Sequence, residues 1–292
     1  MNSTTATFPL EDYDLDATLS SGQAFRWKRI GDAWEGVVAS RWVRLRTEGK
    51  QLFAQTAVPV ADWEWLRHYL QLDVRLDAVL ARFPDDEPMR AAVKACHGLR
   101  VLRQDVWECL ACFICSSTKQ IVQIEQIISL LCARFGQTVE TPADVAPVRA
   151  FPTREAIAAA GERALRECKM GFRAPYLFAT ARLLTEGKTD LNALSSLPLE
   201  EARARLLEFP GVGRKIADCV LLFAGGFDQA FPVDVWILRA LRQLYFPRRR
   251  PKPARLLRFT ETYFGPYAGH AQQYLFHYMR VKGGAREKPG EK

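Results

Sequence analysis

Two short segments carry residue types that can do chemistry. Leu206-Leu207-Glu208-Phe209-Pro210-Gly211-Val212-Gly213-Arg214-Lys215-Ile216-Ala217-Asp218-Cys219 joins a glycine turn to a lysine, and Phe231-Pro232-Val233-Asp234-Val235-Trp236 supplies a carboxylate soon after. A primary amine can attack an electron-poor carbon. A carboxylate can steady a developing cation. Glycines reach positive φ and let a phosphate approach the backbone closely. A lone G-x-G is weak evidence and suits a plain αα-hairpin equally well. Arg214 and Lys215 directly after the turn, with Asp234 downstream, shift the balance toward a functional site.

These residues need elements to hold them. Pro210-Gly211-Val212-Gly213 interrupts one apolar helical pattern (Leu206, Leu207) and precedes another (Ile216, Val220, Leu221), which predicts helix, tight turn, helix. The free N–H groups at the second helix start, helped by the helix dipole, form a natural anion site. Lys215 falls in the first turn of that helix, where the dipole disfavours a positive charge and an amine near apolar walls can lose its proton. Phosphate contact is its blander role. Cys219 lies four residues on, hence on the same face. Asp234 sits before the helical run Val235-Trp236-Ile237-Leu238 and reads as an N-cap. A capping carboxylate can still face a pocket.

The rest of the chain reads as α+β. From about Phe8 to Thr56 short alternations (Trp34 to Val38, Trp42 to Arg46, Leu52 to Ala54) predict an antiparallel sheet. From about Ala61 onward helical spacing recurs through Trp65 to Leu70, Val122 to Leu131, Ile157 to Leu165, Pro175 to Leu184 and Ala202 to Leu207. This divides the chain into an N-terminal domain of sheet and helices over 1–100, a helical helix-hairpin-helix domain over 101–283 and a charged, disordered tail over 284–292. Pro247 to Pro253 is a basic, solvated loop. A net charge of +8 and a pI near 9.2 suit a nucleic-acid partner, though weakly. No run is apolar enough to span a membrane, and Met1 to Thr5 lacks the features of a secretory signal. Seven cysteines read as reduced thiols of an intracellular protein: cytoplasmic or nucleoid-associated in a bacterium, nuclear in a eukaryote. Cys109, Cys112 and Cys115 have C-x-x-C-x-x-C spacing, but in an apolar helical run they suit small buried hydrophobes better than cluster ligands. No iron–sulfur cluster, zinc site or other cofactor is expected. Without a heptad or exposed apolar stripe, a monomer is expected.

The hairpin with Lys215 and Asp234 resembles the signature of the helix-hairpin-helix Gly/Pro-Asp DNA glycosylase superfamily. Ser21 to Trp27, Leu102 to Asp105, Glu108 to Leu110, Phe113 to Ser117, Gly171 to Tyr176 and Tyr267 to Gln272 with Leu275-Phe276 narrow the resemblance to the 8-oxoguanine DNA glycosylase/AP lyase family. They occur in order from about Phe8 to about Arg280. The resemblance implies a base-excision repair enzyme that flips an oxidised purine out of double-stranded DNA, with Lys215 as Schiff-base nucleophile and Asp234 steadying the sugar cation. It further implies that the carbonyl of Gly22 reads the proton on N7, that Gln272 reads the Watson–Crick edge, and that Phe276 and Cys219 pack the two faces of the base. Gly211, Val212, Gly213 and Arg214 would hold the backbone phosphate, Phe172 would wedge the duplex and Arg173 would touch the opposite cytosine. The resemblance leaves a monovalent cation at the hairpin open.

The departures concern the opposite strand. Thr118-Lys119-Gln120 stands where the family commonly has three asparagines; Thr118 and Lys119 remain expected DNA contacts, but Thr118 lacks the amide that fills the vacated stack. Gln123 stands at the place of a second cytosine-reading arginine, and Trp236 at that of a histidine near the phosphate. Weaker selectivity for the opposite base follows. Two alternatives stay open: a glycosylase for alkylated or ring-opened purines, and a non-catalytic hairpin DNA-binding protein.

Overall fold

The computed structural model describes residues 3–117, 119–187, 189–249 and 251–284. Five antiparallel strands open the chain: β1 (Ser3–Pro9), β2 (Lys28–Ile30), β3 (Ala33–Val38), β4 (Arg41–Glu48) and β5 (Gln51–Val60), in the order β1-β5-β4-β3-β2. Tight two-residue turns set the register. Ala39 and Ser40 both adopt positive φ and pair Val38 with Arg41, as hairpin turns whose twist matches the strands require. Alternation buries Val43 and Leu45 on one face of β4 while Arg44 and Arg46 point away. Gly36 is needed for packing, because a Cβ there would lie 2.6 Å from the Trp27 ring. A second ribbon, β6 (Thr138–Val139) with β7 (Val148–Arg149), covers Trp42 on the other side through Val139 and Ala150.

Thirteen helices complete the described chain. α1 (Leu15–Ser20) lies between β1 and β2; α2 (Glu64–Leu70), α3 (Leu76–Leu80) and α4 (Glu87–Ala95) follow the sheet. α5 (Val106–Cys115) and α6 (Ile121–Phe135) precede the ribbon. α7 (Arg154–Leu165), α8 (Ala174–Thr185), α9 (Leu199–Leu207), α10 (Arg214–Val220), α11 (Val235–Ala240), α12 (Pro253–Tyr263) and α13 (Ala268–Gly284) form the remainder. Side-chain caps start several of them: Asp14, Asp86, Asp105, Thr153 and Asp234 each accept from a backbone N–H in the first turn. No described helix is long and apolar enough to cross a membrane.

Three apolar cores hold the elements. The first packs Leu110 and Ile114 of α5 against Ile127 of α6, Leu177 of α8, Leu206 of α9 and Val220 of α10. The second joins Ala17, Met89, Ala92 and Leu99 to Phe231, Ile237, Leu256, Phe264 and Leu275. The third seats the sheet, through Leu45 and Leu52, on Leu15 and Leu66. The second core crosses residue 100. Residues from the first hundred share buried surface with the last three helices, and Tyr274 donates to the carbonyl of Leu99 at 3.0 Å. Chain order therefore does not mark a packing boundary there. α13 continues through Gly284, and the rest of the expected tail, residues 285–292, lies outside the described residues.

Candidate active site

The hairpin folds as its residues dictate. Gly211 has φ +74°, and a Cβ there would come within 2.5 Å of the Tyr176 ring, so both conformation and space exclude a side chain. Val212 N–H donates to the Phe209 carbonyl at 3.1 Å and closes the turn. Gly213 is the N-cap of α10 and offers no side chain to its first N–H groups, which leaves those donors for an external acceptor. α9 and α10 are tied by the ion pair of Arg203 with Asp218, 2.7 Å apart and buried on both sides. Arg214 spans from Asp218 to Glu261, 2.7 Å away on α12.

Lys215 rises from the second position of α10 toward α5. Its Nζ donates to Ser116 Oγ at 3.2 Å and lies 5.0 Å from the centre of the Phe113 ring. That ring is fixed by stacking on Phe223 at 5.6 Å. Asp234 caps α11, its Oδ1 accepting from Ile237 N–H at 2.8 Å. Burial raises its carboxyl above the ordinary carboxylate range, against the Ile237 N–H and the nearby Lys215 charge, which pull it down. Cys219 lies one turn beyond Lys215 on α10 and is buried. Its thiol is pushed up to about 12, first by burial, with Lys215 opposing and Asp234 adding to the rise. The charges of Lys215 and Asp234 thus both bear on this buried thiol.

A second group gathers around Gly22. Gly22 follows α1 with φ +80°, and a Cβ there would stand 3.0 Å from Ile121 Cδ1, 3.2 Å from Arg280 Nη1 and 3.5 Å from Phe276 Cε1. Gln23 fixes the loop: its Nε2 donates to the carbonyls of Thr18 and Arg100, and its Oε1 accepts from Leu102 N–H at 2.8 Å. Gln272 and Phe276 are one turn apart on α13. Gln272 is buried, and its Oε1 has no hydrogen-bond partner among the described residues. An orphaned buried acceptor is costly in the free protein, so this one marks a place where a ligand donor would fit.

A brace positions α13 against the loop leading to Asp234. His270 Nε2 is 3.2 Å from Asp228 Oδ1, and Arg103 is 3.5 Å from the same oxygen. Gly269 N–H donates to the Asp228 carbonyl at 2.8 Å. Gly269 must lack a Cβ, since one would sit 2.4 Å from the Ala230 carbonyl. Burial pushes the Asp228 carboxyl up, but His270 and Arg103 more than offset this and hold it below its ordinary value. The sequence reading missed this brace, together with Ser116 and Arg280. His270 lay within a motif already singled out, but nothing local tied it to Asp228.

The DNA-facing expectations divide. Phe172 is 53% exposed and meets Tyr176 edge-on at 6.4 Å, beside the hairpin glycine. Lys119 is half-buried just beyond α5. Thr118 lies outside the described residues. Arg173, expected to touch the opposite cytosine, turns inward in the free protein. It is 3% exposed, and its Nε donates to the Ser117 carbonyl at 2.8 Å while Nη1 donates to the Met170 carbonyl at 3.1 Å. The guanidinium thus donates to two loop carbonyls and lies over the Phe172 ring at 4.2 Å. Cys109, Cys112 and Cys115 are buried along α5, and burial raises all three thiols, Cys115 to about 12.

Comparison with known proteins agrees with this geometry. Residues 111–266 match the HhH-GPD superfamily base excision DNA repair protein family, and residues 6–110 match the 8-oxoguanine DNA glycosylase N-terminal domain. An N-glycosylase/DNA lyase of Arabidopsis thaliana is 30% identical over 92% of this chain and 79% of its own. Among solved structures, MBOgg1 in complex with a low-affinity DNA ligand superposes with a TM-score of 0.92 at 33% identity, covering 97% of this chain and 98% of that one. The Clostridium acetobutylicum 8-oxoguanine glycosylase/lyase, bound to double-stranded DNA with cytosine opposite 8-oxoguanine, gives 0.89 at 28% identity over 95% and 98%. Fold and site thus define a helix-hairpin-helix base-excision glycosylase. Within that class, the chain belongs to the 8-oxoguanine DNA glycosylase family.

Proposed function

We propose that Lys215 and Asp234 carry the chemistry of a bifunctional N-glycosylase/DNA lyase acting on 8-oxoguanine in duplex DNA. The activity follows from the family; the roles rest on geometry. Atom C1′ is inaccessible inside a duplex, so the nucleotide must be extruded into a pocket. The Lys215 amine attacks C1′ through its nitrogen lone pair and the base departs with the bonding pair. Asp234 steadies the positive charge that grows on the sugar, where an oriented carboxylate in a dry site is most effective. The sugar ring then opens to a Schiff base on Nζ, a proton leaves C2′ and the 3′ phosphate is expelled. Amine and carboxylate supply the nucleophile and the charge, so this route invokes no cofactor.

The base would lie between Phe276 and Cys219. The carbonyl of Gly22 would accept from the N7 proton that guanine lacks, a contact that can discriminate by about 1–3 kcal/mol when its loss leaves a buried group unpaired. The unpartnered Oε1 of Gln272 suits the donors of the Watson–Crick edge. The uncapped start of α10 and exposed Phe172 suit the phosphate and the strained duplex.

The observation that carries this reading is the place of Lys215 directly after the hairpin glycines, its Nζ donating to Ser116 Oγ and resting against the Phe113 ring. Borohydride added during reaction with an 8-oxoguanine duplex should trap a covalent protein–DNA adduct, absent in Lys215→Gln. An adduct that persists in that variant would remove Lys215 from its role.

A further inference from the structure

One charged group beside the pocket is not used by this chemistry. Arg280 lies one turn beyond Phe276 on α13, and its guanidinium sits 5.6 Å from the centre of the Phe276 ring. Its Nη1 donates to the Ser20 carbonyl at 3.3 Å and lies 3.2 Å from the point that a Cβ on Gly22 would occupy. A planar, cationic fork is thus packed against the aromatic that is assigned to stack on the base, beside the glycine assigned to read it. Burial lowers the arginine's pKa, with the charges of Glu125 and Asp234 opposing that shift. It is therefore a partly desolvated group at the edge of the pocket, not a freely solvated surface side chain.

We propose that Arg280 is a placeholder: it occupies part of the base slot in the DNA-free protein and is displaced when a nucleobase enters. Guanidinium and nucleobase are both planar donors that use an aromatic face. They cannot share one face of Phe276, and the space around Gly22 is already filled to contact by Arg280, Phe276 and Ile121. A base that enters must break the contact with Phe276 and the bond to Ser20. This opposes entry of any base, damaged or not. What offsets it is the set of hydrogen bonds a given base makes with Gly22 and Gln272, so only a base that satisfies those groups is retained. Arg280 thereby sets a threshold without reading the base itself. The idea rests on the pocket assignment made above.

A duplex that carries a tetrahydrofuran abasic analogue extrudes a sugar but brings no base to the slot. The test compares its binding with that of an 8-oxoguanine duplex, in the Lys215→Gln background so that no bond is cut. Arg280→Ala should tighten binding of the 8-oxoguanine duplex by about threefold to tenfold, the size of a partly desolvated cation–π contact. Binding of the tetrahydrofuran duplex should stay the same. Arg280→Met, which keeps the apolar stem, should fall between parent and alanine variant, and thermal denaturation establishes that both variants are folded. Weakened or equal shifts on the two duplexes in both variants would overturn the placeholder. If the Lys215→Gln parent does not prefer the 8-oxoguanine duplex over undamaged DNA, the pocket assignment itself fails and takes the placeholder with it.

Discussion

Asp234→Asn should separate catalysis from folding at one atom. Asp234 has two tasks: its Oδ1 caps α11 through Ile237 N–H at 2.8 Å, and its charge faces the site shared with Lys215. Asparagine caps helices about as well as aspartate, whereas loss of the cap to alanine costs about 1 kcal/mol. The charge term has the opposite sign. Burial raises the folded carboxyl above its ordinary value of 3.8, so the protonated form is favoured on folding. That advantage is complete below the unfolded pKa and disappears as pH rises through the folded one. At neutral pH the parent therefore folds with an unfavourable buried charge that the amide lacks. Asp234→Asn should match or exceed the parent's stability at pH 7, and the gap should close toward pH 3. Asp234→Ala should lose the cap at every pH. Catalysis should respond otherwise, since removing an oriented stabiliser of developing charge costs about 100- to 1,000-fold in rate. Urea denaturation across pH gives the first quantity, and single-turnover excision from an 8-oxoguanine duplex gives the second. An asparagine variant that keeps excision within a few-fold of the parent, or that unfolds as readily as the alanine variant, would refute the dual role.

Other expectations follow from the same site. Gly22→Ala places a Cβ at φ +80° against Ile121, Arg280 and Phe276; denaturation should show a loss of about 1–2 kcal/mol from the left-handed backbone, and excision should fall further because the wall of the pocket moves. Asp228→Asn removes the carboxylate that His270 and Arg103 share. It should cost about 1 kcal/mol at neutral pH. Because the folded Asp228 carboxyl lies below 3.8, the parent's advantage is present above that pH and is lost as pH falls through the folded value; a stability gap that persists in acid would exclude the brace.

Much of this site was legible in local pattern. Gly211 and Gly213 announce the turn, Lys215 the helix start and Asp234 a cap, because each is fixed by backbone requirements within a few residues. The alternations of β3, β4 and β5 likewise survive, although β5 extends to Val60 and corrects the earlier end at Thr56. β1 and β2 lacked a signal of their own. β1 is defined by pairing with β5, some fifty residues away, and β2 has three exposed residues held by β3. Short α3 and α4 depend on the second core, in which Met89 and Ala92 meet residues beyond 230. Arg173 has surroundings that local pattern does not reach. Its neighbour Phe172 is exposed as expected, yet the loop after α5 leaves the Ser117 carbonyl in need of a donor, and Arg173 turns inward to meet it. No spacing rule encodes such a long-range demand.

The residues proposed for the site come from distant parts of the chain, so no single segment holds them all. Gly22 belongs to the loop after α1, Ser116 to the end of α5, Cys219 and Lys215 to α10, Asp234 to α11, and Gln272 with Phe276 to α13. Two supports bring them together. Gln23 bonds the Gly22 loop to residues 100 and 102, and Gln273 Nε2 donates to the Ser21 carbonyl at 3.2 Å, binding that loop to α13. The Asp228 brace then fixes α13 against the loop that delivers Asp234. Gln272 and Gln273 thus have different tasks at adjacent positions: one holds the loop through a complete hydrogen bond, while the other keeps a buried oxygen unpaired. A folded protein tolerates such an orphan where a ligand will later satisfy it. The contact from Gln273 to Ser21 therefore joins the N-terminal family segment to the helix that follows the second one.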